Sequence, residues 1–404
     1  MNLNIKFFLI FAIFVSGFVW AEKGLDKILR DAIIENGFKS PEEIYFNPNE
    51  DLASQGKIFF ASKHLSLNGK ISCAVCHISK KGSSDGIPNA AGVRGMGEGR
   101  DRLLSGAKIV PRNTLALWGV GSKNFKTFFW DGRVDFSSDI KVISQFGSQI
   151  PSPDPLVTAV HLPVVEIRET LEEDDFVLAH KQESLGGAKS VYEAIVKKLI
   201  LLEPEAMKDL ASKIGVDINE VTFLDVATSI ASFIRSEFRI KNTKLNDFVN
   251  RKQSLSNEEL RGGLVFYGKG NCISCHSGPH FTNQKFYTVA FPQLGFGKNG
   301  FGFDYGRYNA TFNPKDLYKF RTPSLYNVSK TSPYSHSGSL LEVDEAVRAH
   351  YDPLSLIKIE NYSSLQRHQL YKYLAQNDTV NKVNFLSEDE VNHLVKFLRT
   401  LDFD

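Results

Sequence analysis

Every cysteine of this 404-residue chain falls in one of two identical frames, Cys73-Ala74-Val75-Cys76-His77 and Cys272-Ile273-Ser274-Cys275-His276. Two thiols three positions apart, followed at once by a histidine, suit the attachment of a haem c. The thiols form thioethers to the macrocycle, and the histidine reaches the iron as its proximal ligand. A pair of disulfides, or one zinc ion held by four thiolates, would use the same cysteines. Neither accounts for a histidine directly after both pairs. Two covalently attached haems c are therefore expected, one on Cys73, Cys76 and His77 and one on Cys272, Cys275 and His276.

The flanks of the two motifs repeat as well. Gly56-Lys57-Ile58-Phe59-Phe60 precedes the first, and Gly263-Leu264-Val265-Phe266-Tyr267 precedes the second. Each reads as the end of an amphipathic helix that delivers an aromatic pair towards a haem pocket. Ser256 followed by Glu258 and Glu259 marks the start of the second of these helices. Residues 219–238 carry apolar side chains at helical spacing: Phe223, Val226, Ala227, Ile230, Phe233 and Ile234. Near the end of the chain, Ser387 and Glu390 form a capping box ahead of Val391, Leu394, Val395 and Leu398. Strand signals are sparse. The pattern predicts a mainly α fold of two cytochrome c-like domains, residues 22–240 and 241–404, each with one covalent haem and long loops containing Gly and Pro. The polar stretch 241–256 reads as the linker.

With 48 Lys+Arg against 46 Asp+Glu, the formal charge is +2, and a nucleic-acid partner has no clustered basic charge to meet it. Residues 1–21 carry Lys6, an apolar run from Phe7 to Trp20, and then Ala21. That run falls short of the roughly 20 apolar residues that span a bilayer. It describes a signal peptide cleaved after Ala21. Export to a periplasm is expected, with no membrane span after cleavage, and export matches the compartment in which haem c is attached.

Further segments occur in a characteristic order. They are Leu65-Ser66 to His77, Pro111-Arg112-Asn113-Thr114, Phe129-Trp130-Asp131-Gly132-Arg133, Cys272 to Pro279 with Phe281-Thr282, Phe320-Arg321-Thr322-Pro323-Ser324-Leu325, and Pro333-Tyr334-Ser335-His336-Ser337-Gly338. In these segments the chain resembles the bacterial di-haem cytochrome c peroxidase and MauG family over nearly the whole mature length. The resemblance implies that the N-terminal haem, with His77 proximal, meets hydrogen peroxide, while the C-terminal haem, with His276 proximal, passes electrons. It makes Trp130 the tryptophan between the haems, where composition alone would make it a buried aromatic plug. It makes Asn113 a side-chain ligand and Thr331 and Pro333 backbone-carbonyl ligands of one calcium ion, residues that otherwise read as turn formers. Glu166 matches the family's distal acid–base glutamate, after an interval lengthened by an insertion within residues 136–160. Flanked by Val165 and Ile167, it is expected in an apolar setting that raises its pKa. The alternative is an ordinary surface carboxylate.

Two departures from the family pattern stand out. Members that need reductive activation have a histidine in the loop after the first motif, and here no histidine lies between His77 and Arg112. Gly82, Gly86, Gly92, Gly95, Gly97 and Gly99 suggest a mobile loop, with Arg94 near the missing histidine's place and Met96 the one remaining candidate ligand. The second departure concerns the methionine that the peroxidases place fourteen residues beyond the histidine of Pro-Tyr-x-His-x-Gly. Counting from His336 reaches His350, and a one-residue gap would select Tyr351, the residue type of MauG-like members. His350 is expected on the second iron with Tyr351 as its alternative, and either would lower the potential relative to His/Met ligation. The third reading leaves both unligated.

The function expected is periplasmic reduction of hydrogen peroxide, with electrons from a small periplasmic cytochrome c or cupredoxin; a homodimer is allowed. Two alternatives stay open, a MauG-like oxidase acting on side chains of a partner protein and a non-catalytic di-haem electron carrier.

Overall fold

The computed structural model describes residues 24–45, 47–138, 143–147, 149–172, 184–379 and 382–404. The expected signal peptide therefore lies outside the described residues. The fold is helical with few strands, each two residues long. No described helix is long and apolar enough to cross a membrane.

Two helix pairs dominate. The helix Glu50–Ala61 packs along Phe223–Glu237, and Asn257–Tyr267 packs along Glu388–Arg399. Each pair crosses at a glycine that lets the backbones touch. A Cβ on Gly56 would lie 1.9 Å from the Ser229 carbonyl oxygen, and one on Gly262 would lie 2.0 Å from that of His393. Gly262, not Gly263, is thus the counterpart of Gly56, because the register is set by the helix crossing rather than by the local letter pattern. In this register Phe60 and Phe266 occupy the same place, and each lines a cavity beside its CxxCH turn. Phe59 and Tyr267 do not line those cavities, so each helix delivers one aromatic ring rather than a pair.

Local signals set the helix ends. Ser256 Oγ accepts the Glu259 N–H at 3.2 Å, and Ser387 Oγ accepts that of Glu390 at 3.3 Å. Thr222 with Asp225 starts the helix Phe223–Glu237, and a short 3-10 turn, Ile218–Glu220, precedes it.

The stretch 241–256 is more than a linker. It contains the helix Lys244–Val249, which buries Leu245 and Phe248, and the Leu245 N–H donates to the Thr400 carbonyl at 3.0 Å. Two apolar residues three apart share one helix face, and burying each contributes about 1.5–3 kcal/mol. The helix over residues 24–35 packs here too. Its Arg30 guanidinium lies 4.4 Å from the Phe248 ring centroid, and its Leu29 sits against Gly263.

Candidate functional site

The first motif opens a cavity of about 220 Å³ walled by Cys73, Cys76, His77, Phe60, Leu156 and Val164 among others. The His77 Nδ1–H donates to the Ser83 carbonyl at 3.1 Å, which leaves Nε2 as the free lone pair. Burial holds the His77 pKa down to about 4, so the ring is neutral. Both thiols are unpaired. Burial pushes Cys73 up to about 12, with Glu169 adding to the shift. No other His and no Met lines this cavity among the described residues.

Glu166 and Glu169 both line the same cavity. The setting of Glu166 is charged rather than apolar. Its Oε2 accepts from Arg133 Nη1 at 3.0 Å, and its Oε1 lies 3.4 Å from Lys298 Nζ. Burial pushes its pKa upward, but Lys298 and Arg133 outweigh this and hold it below the usual carboxylate value. The expectation of a raised Glu166 is therefore overturned by cations brought from elsewhere in the chain. The raised carboxyl is Glu169, which burial and the neighbouring Glu166 push up to about 7.

These contacts close into a ring. Arg133 Nε meets Asp131 Oδ1 at 3.1 Å, and Asp131 Oδ2 lies 2.6 Å from Arg112 Nη1. Arg112 grips Asp304 through Nε and Nη2, both at 2.8 Å. Asp304 Oδ2 in turn accepts the backbone N–H of Lys298 at 3.2 Å, and Lys298 Nζ returns to Glu166. Asp131, Arg112 and Asp304 are buried, so each charge requires its partner. Sequence reasoning found the Arg112 and Asp131 motifs but missed Lys298, Asp304 and Glu169. Lys298 carries no local signal, since Gly297-Lys298-Asn299-Gly300 reads as a turn.

The loop after the first motif is pinned rather than mobile. Val93 N–H donates to the Arg168 carbonyl at 3.0 Å and Gly92 N–H to that of Lys108 at 2.9 Å. Arg102 Nε donates to the Ala91 carbonyl at 3.0 Å. A Cβ on Gly92 would lie 1.7 Å from the Arg168 oxygen, so this glycine permits close packing instead of motion. Arg94 pairs with Glu172 at 2.7 Å and is 44% exposed, and Met96 is 71% exposed. Neither lines the first cavity.

The second motif opens a cavity of about 210 Å³. His276 Nδ1–H donates to the Phe281 carbonyl at 2.9 Å, and burial, with His350 adding to it, holds its pKa down to about 4. His350 lines this cavity, with Nδ1–H donating to the Ala346 carbonyl at 2.7 Å and Nε2 free. Tyr351 does not line it; its ring packs against Phe385 at 5.3 Å. No Met lines this cavity among the described residues. The two thiol pairs face different cavities, which excludes one site of four thiolates.

Trp130, Arg321 and the segment Asn113–Ala116 line both cavities and form the wall between them. Trp130 Nε1 donates to the Asn113 carbonyl at 2.8 Å. The Asn113 amide nitrogen meets the Pro333 carbonyl at 2.6 Å, while its Oδ1 is buried without a partner. Thr331 and Pro333 line the second cavity only. With the amide turned over, Oδ1 and the Pro333 carbonyl face one point, a donor set that suits a hard cation.

Known proteins share the sequence pattern and the fold of this chain. The sequence model described as di-haem cytochrome c peroxidase matches residues 50–254. Cytochrome-c peroxidase IdrP1 of Denitromonas iodatirespirans is 26% identical over 322 residues, covering 74% of this chain and 71% of that protein. Methylamine utilization protein MauG of Methylorubrum extorquens is 26% identical over 333 residues, covering 79% and 75%. The crystal structure of the diheme peroxidase BthA from Burkholderia thailandensis shares the fold, with a TM-score of 0.62 at 19% identity over 91% of this chain and 89% of that one.

Proposed function

Because this chain belongs to the di-haem cytochrome c peroxidase family, we propose that it reduces hydrogen peroxide in its first cavity with electrons that enter at the second. The residues fit a haem c in each. Both cavities present two free thiols and a neutral histidine whose Nδ1–H is engaged by a backbone carbonyl, Ser83 for His77 and Phe281 for His276. Such a haem supplies an iron that exchanges electrons and takes an oxygen ligand. Cys73, Cys76 and His77 would hold the first; Cys272, Cys275, His276 and His350, which line one cavity, would hold the second.

The single observation that carries the reading is a carboxylate held by two cations in the cavity of His77, with no second His or Met beside it among the described residues. The reaction consumes two electrons and two protons per peroxide and gives two waters. Glu166, ionised, would take a proton from one peroxide oxygen and return it to the other as the O–O bond breaks. Glu169, whose carboxyl titrates near 7, supplies a further proton at neutral pH. Leu156, Val160, Leu162 and Val164 line the cavity beside these charged groups, and Trp130 offers the contact through which electrons cross.

The same reading divides the chain into cytochrome c-like domains, residues 22–240 and 241–404. It places a calcium ion at Asn113, Thr331 and Pro333, and the protein in a periplasm beside a small cytochrome c or cupredoxin. Stopped-flow reaction of the holoprotein with peroxide and reduced cytochrome c tests it. His77→Gly should lose turnover while keeping the second haem, and wild-type turnover in that variant would overturn the assignment. That no Met lines the second cavity among the described residues favours MauG-like oxidation of a partner's side chains as the second reading. A long-lived oxidised protein without turnover of cytochrome c would select it.

A further inference from the structure

The first cavity is not built by the N-terminal part of the chain alone. Lys298 stands at the turn between the paired strands Phe296–Gly297 and Gly300–Phe301. That turn is tightly held. A Cβ on Gly297 would lie 2.0 Å from the Phe303 carbonyl oxygen. Asn299 and Asn309 exchange side-chain hydrogen bonds of 2.9 and 3.0 Å. The Lys298 backbone N–H is anchored on Asp304, the carboxylate that also grips Arg112. Its base is thus fixed through a buried ion pair to the N-terminal part, while its ammonium reaches Glu166 on the cavity wall.

We propose that Lys298 is a positioning residue for the peroxide reaction: it holds Glu166 Oε1 while Arg133 holds Oε2, so the acid–base carboxylate is complete only with the C-terminal hairpin docked. The inference rests on the peroxidase reading and names a part that the hairpin contributes to it.

Four charged groups act on Glu166: Lys298, Arg133, Asp131 and Glu169. Among the lowering influences on its pKa, Lys298 comes first. Removing that charge leaves burial opposed by Arg133 alone, with Asp131 adding to the upward push. Glu166 would then take up a proton at higher pH and stop acting as a base. A purely structural tie between the two parts of the chain would weaken folding without moving this titration.

The test uses oxidised full-length holoprotein as wild type, Lys298→Met, Lys298→Arg, Glu166→Gln and the Lys298→Met/Glu166→Gln double variant. Two quantities are followed against pH: the second-order rate with peroxide, and the infrared band of protonated carboxyl that Glu166→Gln abolishes. Lys298→Met should move the acid limb of the rate and the carboxyl titration upward together, by roughly one pH unit or more, as expected for losing an opposite charge at this distance. Lys298→Arg should restore both. In the Glu166→Gln background Lys298→Met should add nothing, since the two act as one unit. If Glu166→Gln slows the reaction while Lys298→Met keeps the wild-type titration, the proposal fails and the peroxidase reading stands. If Glu166→Gln leaves the rate unchanged, the acid–base assignment and the role of Lys298 fall together.

Discussion

Arg321 donates its backbone N–H to the Trp130 carbonyl at 2.8 Å, and the two side chains line both cavities. The wall between the candidate haem sites is therefore a locked pair. Arg321 Nε also donates to the Phe129 carbonyl at 3.1 Å, and burial lowers its guanidinium to about 10, so it stays charged at neutral pH.

Trp130→Phe should leave both haems attached and slow electron transfer between them several-fold. Rapid reduction of the second haem, followed by the spectrum of the first, measures this. An unchanged rate would return Trp130 to a packing role.

With no second His or Met in the first cavity among the described residues, the fully oxidised protein should show a high-spin first haem. It should also react with peroxide without prior reduction. Resting-state EPR reports the spin state. Two low-spin haems, with reactivity appearing only after one-electron reduction, would defeat the open-site expectation.

His350→Ala should abolish the low-spin signal of the second haem, whereas Tyr351→Phe should leave it intact, because, of these two neighbours, His350 lines the second cavity and Tyr351 does not. The reverse pattern in EPR would assign the ligand to Tyr351.

Glu166→Gln should slow the reaction with peroxide by roughly 10²-fold at neutral pH, within the range for loss of an acid–base group. The Glu166 carboxyl is held below its usual value, so the wild-type proton acceptor is present throughout the neutral range. It should fail only as the pH drops through the folded pKa. A wild-type rate limb at neutral pH that survives Glu166→Gln would point to Glu169 instead.

Gly262→Ala should destabilise the protein by about 1–3 kcal/mol, the usual cost of overpacking, because its Cβ would meet the His393 oxygen at 2.0 Å. Urea unfolding of the holoprotein measures it. Full stability would mean that the helix crossing yields more easily than this contact implies.

Features set by neighbours in sequence were legible in sequence. Each Cys-x-x-Cys-His frame lies within five residues, and a capping box needs Ser256 and Glu259 three apart, so the cysteine turns at Cys73–Val75 and Cys272–Ser274 and both capped helices could be read directly. Contacts between distant segments could not be read this way. The Gly56–Gly262 correspondence was shifted by one residue because a helix crossing, not a letter pattern, sets the register. The glycines after His77 looked like freedom until Arg168 was seen packed against Gly92. His350 and Tyr351 were inseparable by counting, and only the end of the helix Val343–Ala349 turns one into the cavity and the other towards Phe385. The pKa of Glu166 was expected in the wrong direction from Val165 and Ile167. A charge responds to everything within several ångströms, and Lys298 and Arg133 reach it only after the chain has folded.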